Sequence, residues 1–291
     1  MNRGASTGLA DEALLEHAFR KLPVLGSVAH WRISPLTGGH ANRSWLLVAA
    51  DRKLVLRVPV EDTRALGVER TAEWVAIEAA ARAGLAPRIV HFDAISGVLV
   101  SEYVEGRLWS RADAHDAAAV SRLAQRLRIL HGLPPPTGVR RLEYAELIRG
   151  YRGSLAGRPR RAGEGHDALA AEADRRLAAI GAGSRVRALC HNDLHHLNII
   201  EGRALMLIDW EYAAAGDPMF DLASFACYHD LEAHERRHLL DAYASDNAAQ
   251  APGVFAHYCW IFDYMHLLWL DLTDNDAPLR ARLLERLAAG V

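Results

Sequence analysis

Near Gly106 the texture of the chain changes. Before it, short runs rich in Val, Leu, Ile and Trp at 31–35, 43–49 and 53–58 read as strands of an antiparallel meander. Residues 37–42, with Gly38 and Gly39, form its first turn, and Asp51-Arg52 forms a tight second one. Leu14, Leu15, Ala18, Phe19 and Leu22 recur at helical spacing, so a helix over 11–22 leads in and stops at Pro23. A second helix, 68–83, ends at Gly84 and Pro87, and strand texture returns at 89–93 and 98–104. After Gly106 the chain reads as helices at 114–131, 142–155, 167–180, 219–228, 232–245, 252–272 and 277–288. Two short apolar strands, 188–190 and 205–208, interrupt them. The reading is an α+β fold of two lobes: a small N-terminal antiparallel sheet with a helix, and a large, mainly α-helical C-terminal lobe. The boundaries are 1–101, a connector at 102–106, and 107–291, with a cleft between the lobes.

Composition narrows the function classes. The 291 residues are 51% hydrophobic and 24% charged with a formal charge of −2, which excludes a disordered polar chain. It also supplies no overall attraction to nucleic acid or an anionic membrane, although Arg158, Arg160 and Arg161 form a local basic stretch in an exposed loop at 157–165. The longest apolar run, 45–50, falls far short of the roughly 20 residues of a spanning helix. Residues 1–10 lack a signal-peptide core, so a cytoplasmic protein is expected. Cys190, Cys227 and Cys259 fit neither disulfide nor zinc spacing and are expected as small buried thiols.

The chemistry concentrates at 190–200. His191, Asp193 and Asn198 lie in a polar loop between the two short strands, and the second strand runs into Asp209. An Asp leaving an apolar strand needs a partner or a metal. Oxygen donors from one Asp and one Asn suit Mg²⁺, while a second Asp five residues before the Asn can take a proton from an alcohol. His-x-Asp followed after four residues by Asn is the spacing of a kinase catalytic loop. His91-Phe92-Asp93 lacks the Asn and reads as ordinary strand-end residues.

These residues resemble the aminoglycoside phosphotransferase/choline kinase family over roughly 30–275. His191-Asn192-Asp193-Leu194 with Asn198 is similar to its catalytic loop. Ile208-Asp209-Trp210-Glu211-Tyr212-Ala213, Gly216-Asp217-Pro218 and Phe220-Asp221-Leu222-Ala223 resemble the choline, ethanolamine and thiamine kinase branch. The resemblance implies a protein-kinase-like fold, ATP as co-substrate and Mg²⁺ as cofactor. It makes Asp193 the base or hydroxyl-orienting group and Asn198 and Asp209 the metal ligands. Asp221 would brace the loop or simply cap a helix. His191 is either a catalytic group or a structural histidine holding the loop backbone, with the structural reading preferred. His195 and His196 are expected exposed.

On the nucleotide side the resemblance implies a clamp. Gly38, Gly39 and Asn42 lie in the turn where backbone N–H groups approach phosphate. Arg57 stands where protein kinases carry Lys, and Lys53, on the same face, is expected solvated. Glu73 and Glu78 are both candidates to pair with Arg57, and the family-like Arg70-Thr71-Ala72-Glu73 favours Glu73. Glu102, Tyr103 and Val104 form a hinge for adenine. With no Arg in the His191-Asn192-Asp193 triplet and no Ala-Pro-Glu, protein-kinase activity is not expected.

The acceptor is expected to be a small, cationic alcohol of choline, ethanolamine or thiamine type. Aromatic faces near carboxylates suit such a cation. The candidates are Trp210, Glu211, Tyr228, Trp260 and Tyr264, with Phe262, Trp269, Asp263 and Asp271 nearby on 252–272. Aminoglycoside or sugar phosphorylation is an alternative. A nucleotide-binding pseudokinase acting through partners is a second, of another class.

Overall fold

A computed structural model describes residues 4–36, 42–60, 68–156, 166–181, 187–244, 252–273 and 276–290. Gly38 and Gly39 lie outside the described residues, as does the 157–165 stretch with its three arginines.

Alternation sorts the faces of the first sheet. Strands β1 (Arg32–Leu36), β2 (Asn42–Val48) and β3 (Lys53–Pro59) form the expected meander. β4 (Ile89–Phe92) and β5 (Leu99–Glu102) complete an antiparallel sheet of order β1-β2-β3-β5-β4. Trp45, Leu47, Leu54, Leu56, Val58 and Val100 share one face, covered by Ala18 and Phe19 of helix α1 (Gly4–Lys21) and by Leu22 just after it. Arg57 is out of phase with Leu54, Leu56 and Val58, so its side chain leaves from the opposite face. That face meets α2 (Arg70–Arg82).

Helix α2 shares its core with the second lobe. Ala76, Ile77 and Ala80, with Leu85, Ala86 and Leu99 beyond them, pack in one cluster with Trp109, Leu123, Leu207 and Trp210. The Leu207 N–H donates to the Leu85 carbonyl at 2.7 Å.

β6 (Arg107–Leu108) follows the connector. Two helices, α3 (Arg111–Ala114) and α4 (Ala117–His131), replace the single one expected over 114–131. The break falls at Asp116, whose side chain accepts the Ala119 N–H at 2.7 Å and restarts the helix. α4 buries Val120, Leu123, Leu127 and Leu130. α5 (Tyr144–Leu155) and α6 (His166–Gly181) lead to β7 (Ala188–Cys190). β8 (Ile199–Glu201) and β9 (Leu205–Leu207) pair with each other, and β8 also pairs with β6. β10 (Ala214–Gly216) pairs with β7. α7 (Pro218–Tyr228), α8 (Ala233–Tyr243), α9 (Pro252–Thr273) and α10 (Ala277–Ala289) complete the lobe. Cys190, Cys227 and Cys259 are all buried free thiols. Among the described residues no helix is long and apolar enough to cross a membrane.

The connector is pinned by close backbone packing. A Cβ on Gly106 would lie 2.4 Å from the Glu201 carbonyl oxygen, and one on Gly202 would lie 2.6 Å from that of Glu105. Only glycine at both positions lets the two segments pass. The Glu102 N–H donates to the Arg88 carbonyl at 2.8 Å and the Tyr103 N–H to that of Lys53 at 3.0 Å. Lys53 itself is half-exposed and pairs with Glu105.

Candidate active site

The loop after β7 is held from below by Asp221. Its Oδ2 accepts the His191 N–H at 2.8 Å and its Oδ1 the Asn192 N–H at 2.6 Å. His131 Nε2 meets Oδ2 at 3.0 Å. Burial pushes this carboxyl up, but the bonds from His131 and the loop amides outweigh it and hold it below the ordinary carboxylate range. The cap of α7 is Asp217, whose side chain accepts the Met219 N–H, so Asp221 is a brace rather than a plain cap. Asn192 sits at φ 64°, in the left-handed region that Asn tolerates. That turn lifts Asp193 out of the core.

Asp193 and Asn198 face each other. Asn198 Nδ2 donates to the Asp193 carbonyl at 2.9 Å and to its Oδ2 at 3.1 Å. With the amide nitrogen so engaged, Asn198 Oδ1 is the atom available to a cation. Asp209 follows β9 at φ 63°, a strained conformation for a non-glycine residue.

Arg57 reaches across from the sheet. It pairs with Glu73, and its Nη1 donates to Asp209 Oδ1 at 3.2 Å. Arg70 Nη1 donates to Glu73 Oε2 at 2.8 Å and to Glu211 Oε2 at 3.3 Å. Asn42 Nδ2 also donates to Glu211 Oε2 at 3.3 Å. Burial alone would push the Arg57 guanidinium down, but Glu73, Asp209 and Glu211 keep it protonated. Burial raises the Asp209 and Glu211 carboxyls, and neighbouring carboxylates raise them further. Three carboxylates thus face two arginines, and the excess negative charge lies beside Asp193. Glu78 instead pairs with Arg82 on the outer face of α2.

Residues 32–258 match the sequence profile of the Phosphotransferase enzyme family. The chain belongs to that family. Protein LicA of Haemophilus influenzae is 29% identical over 221 residues, which cover 72% of this chain and 61% of that protein. The chain thus spans about three-fifths of the length of this curated relative. The choline kinase LicA from Streptococcus pneumoniae superposes with a TM-score of 0.82 at 21% identity, covering 96% of this chain and 98% of that one. A choline/ethanolamine kinase family protein from Mesorhizobium loti gives 0.77 at 25% identity, covering 95% and 94%.

Against this phosphotransferase frame several expected site residues move. His191 is fully buried, its Nε2 is 2.8 Å from the Ile208 carbonyl oxygen, and its ring lies 4.8 Å from that of Trp210. It holds the loop to the segment after β9 and lies in the core. Trp210 is also fully buried, donating to the Leu207 carbonyl at 3.0 Å, because the turn at Asp209 drives it inward. Trp260 donates to the Leu287 carbonyl at 3.2 Å and stacks on Tyr264. Both are core residues rather than pocket walls. Glu211 belongs to the cluster of Arg57, Arg70 and Asn42. Asp263 pairs with Arg286 and Asp271 with Arg280, so neither carboxylate stands alone beside a cation.

Tyr228 does reach the centre, its hydroxyl donating to Asp193 Oδ1 at 2.7 Å. His195 and His196, expected exposed, are partly buried. His195 Nε2 lies 3.7 Å from Asp193 Oδ2, and His196 Nδ1 lies 3.1 Å from His229 Nε2. Burial lowers the pKa of both rings. Sequence reasoning missed His266 and Tyr212. The His266 ring lies 5.3 Å from that of Tyr228, and Trp269 donates to the Tyr212 hydroxyl at 3.2 Å. The spacing Phe262, His266, Trp269 marks one stripe of α9 and is the signal that could have found His266.

Proposed function

We propose that this phosphotransferase-family protein transfers the γ-phosphoryl group of ATP to the hydroxyl of a small, cationic alcohol of choline, ethanolamine or thiamine type. The observation that carries the reading is the convergence of Asp193, Asn198, Asp209 and the Arg57–Glu73 pair in one charged cluster. Asp193 is placed to orient the hydroxyl and receive its proton. Arg57 offers its guanidinium to phosphate oxygens. The connector supports adenine contact through Val104, since the Glu102 and Tyr103 N–H groups already serve the sheet.

The donor set fits Mg²⁺: Asn198 Oδ1 and the Asp209 carboxylate are hard oxygen donors, and the crowded carboxylates favour a dication. These two residues would hold it, and when bound it would neutralise charge on the phosphates. For the acceptor, Tyr212, Phe262, His266 and Trp269 offer aromatic faces on the Asp193 side, with Tyr228 packed against Phe262 and His266. The choline and ethanolamine kinase names among the relatives support the same acceptor class.

The test is Mg²⁺-dependent ADP release with choline, ethanolamine, thiamine and kanamycin, with Asp193→Ala as control. Turnover of one cationic alcohol, abolished in the variant, is the expected result. Turnover of kanamycin alone would overturn the acceptor class. ATP binding without any turnover would overturn the transfer reaction.

A further inference from the structure

Asp193 is gripped from two sides. Asn198 Nδ2 bonds its Oδ2 from within the loop, and the Tyr228 hydroxyl bonds its Oδ1 at 2.7 Å from the last residue of α7. Tyr228 has little room to swing. Its ring meets His195 at 5.1 Å and 72°, Phe262 at 5.0 Å and 70°, and His266 at 5.3 Å and 63°. Edge-to-face contacts on three neighbours fix the orientation of a ring. The phenol O–H is therefore aimed at the carboxylate, and a bond from a hydroxyl to an ionised oxygen is of the stronger kind. Burial, with Asp193 adding to it, raises the phenol further, so its proton stays available for donation.

We propose that Tyr228 is a positioning residue for Asp193, and that α9 acts on the reaction through it by way of Phe262 and His266. The inference rests on Asp193 being the group that receives the alcohol's proton. It gives Tyr228 a different task from a cation wall: a wall works through the face of its ring, whereas a positioning residue works through its hydroxyl. Fixing the carboxylate plane fixes the direction from which a hydroxyl can reach it, and misplacement on the ångström scale costs turnover rather than binding.

Tyr228→Phe separates the two tasks because it keeps the ring and removes only the O–H. The expected result is a kcat lowered by about tenfold or more, with KM for ATP and for the alcohol changed by less than about twofold. A raised alcohol KM at unchanged kcat overturns the proposal and makes the Tyr228 hydroxyl a direct contact to the alcohol, and an unchanged kcat with both KM values unchanged overturns it too, leaving the ring face as the only part that could matter. Phe262→Leu is expected to lower kcat in the wild-type background and to have no further effect on kcat in Tyr228→Phe. Equal losses in both backgrounds overturn the route through α9.

A second readout is independent of turnover. Tyr228→Phe is expected to lower the urea midpoint of the otherwise wild-type protein and to leave that of Asp193→Ala unchanged. Equal shifts in both backgrounds overturn the pairing. A wild-type protein that transfers phosphate to no alcohol defeats the proposed function, and the urea cycle then judges the Tyr228–Asp193 pair by itself.

Discussion

Arg57 bonds the very carboxylate proposed to hold a metal: Nη1 donates to Asp209 Oδ1 at 3.2 Å while Nη2 holds Glu73. A cation arriving at Asp209 and phosphates arriving at Arg57 would each satisfy one half of that pair. Arg57→Ala should therefore raise the KM for ATP by about 10–100-fold, the loss expected for a charge-assisted bond. The KM for the alcohol should barely move. Steady-state kinetics with each substrate varied in turn checks this, and the opposite pattern refutes the assignment.

Glu73 and Glu78 differ in what their removal leaves behind. Glu73 is 1% exposed and neutralises Arg57 and Arg70. Glu73→Ala should cost about 3–5 kcal/mol, because an uncompensated charge stays buried. Glu78→Ala removes a surface pair with Arg82 and should cost under about 0.5 kcal/mol. Urea unfolding of the two variants, side by side, decides it.

Acid should loosen the loop after β7 through Asp221. Its carboxyl is held below the ordinary range in the folded protein, whereas the unfolded chain binds that proton near pH 3.9. The stabilisation is therefore present above about pH 4 and drains away as pH falls through the folded value. Asp221→Asn should cost about 2–3 kcal/mol at neutral pH and flatten this part of the acid limb. Unfolding free energy from pH 3 to 7 tests it. A variant as acid-sensitive as wild type would contradict the assignment.

A methyl group at the connector should be felt at the nucleotide. Gly106→Ala places a Cβ 2.4 Å from the Glu201 carbonyl oxygen. The backbones have to part, at a cost of about 1–3 kcal/mol. The same movement should shift Tyr103 and Val104 and weaken ATP binding. Calorimetric titration with ATP, together with thermal unfolding, measures both effects.

The long elements were legible because their signals are periodic and punctuated. The α4 stripe of Val120, Leu123, Leu127 and Leu130 and the alternation around Arg57 both translate directly into faces. β6 and β10, two and three residues long, carry no period and escaped, whereas the equally short β7 and β9 stood out as apolar runs flanking a polar loop. Within the site, spacing brought out Asp193, Asn198 and Asp209, and the residues around Glu73 distinguished it from Glu78. The aromatics of α9 were not separable by sequence. Trp260 and Tyr264 lie two residues from Phe262 and His266, roughly 200° around the helix. One pair therefore packs inward on Leu287 and Arg176 while the other meets Tyr228. Only the neighbours of the helix decide which stripe faces which. The partial burial of His195 and His196 was hidden for the same reason, since Tyr228 and His229, which pack against them, are more than thirty residues away in sequence.

Helix α2 is fastened to the larger lobe by its own core residues, by the Leu85–Leu207 bond and by Arg126, which donates to the Gly84 carbonyl. Glu73 is therefore part of a fixed wall, and Arg57 comes to it with the sheet. A helix anchored in this way cannot work as a toggle that swings a glutamate in and out to switch the protein on and off. For the proposed phosphoryl transfer, the rate is then expected to follow the supply of acceptor and nucleotide rather than the position of α2.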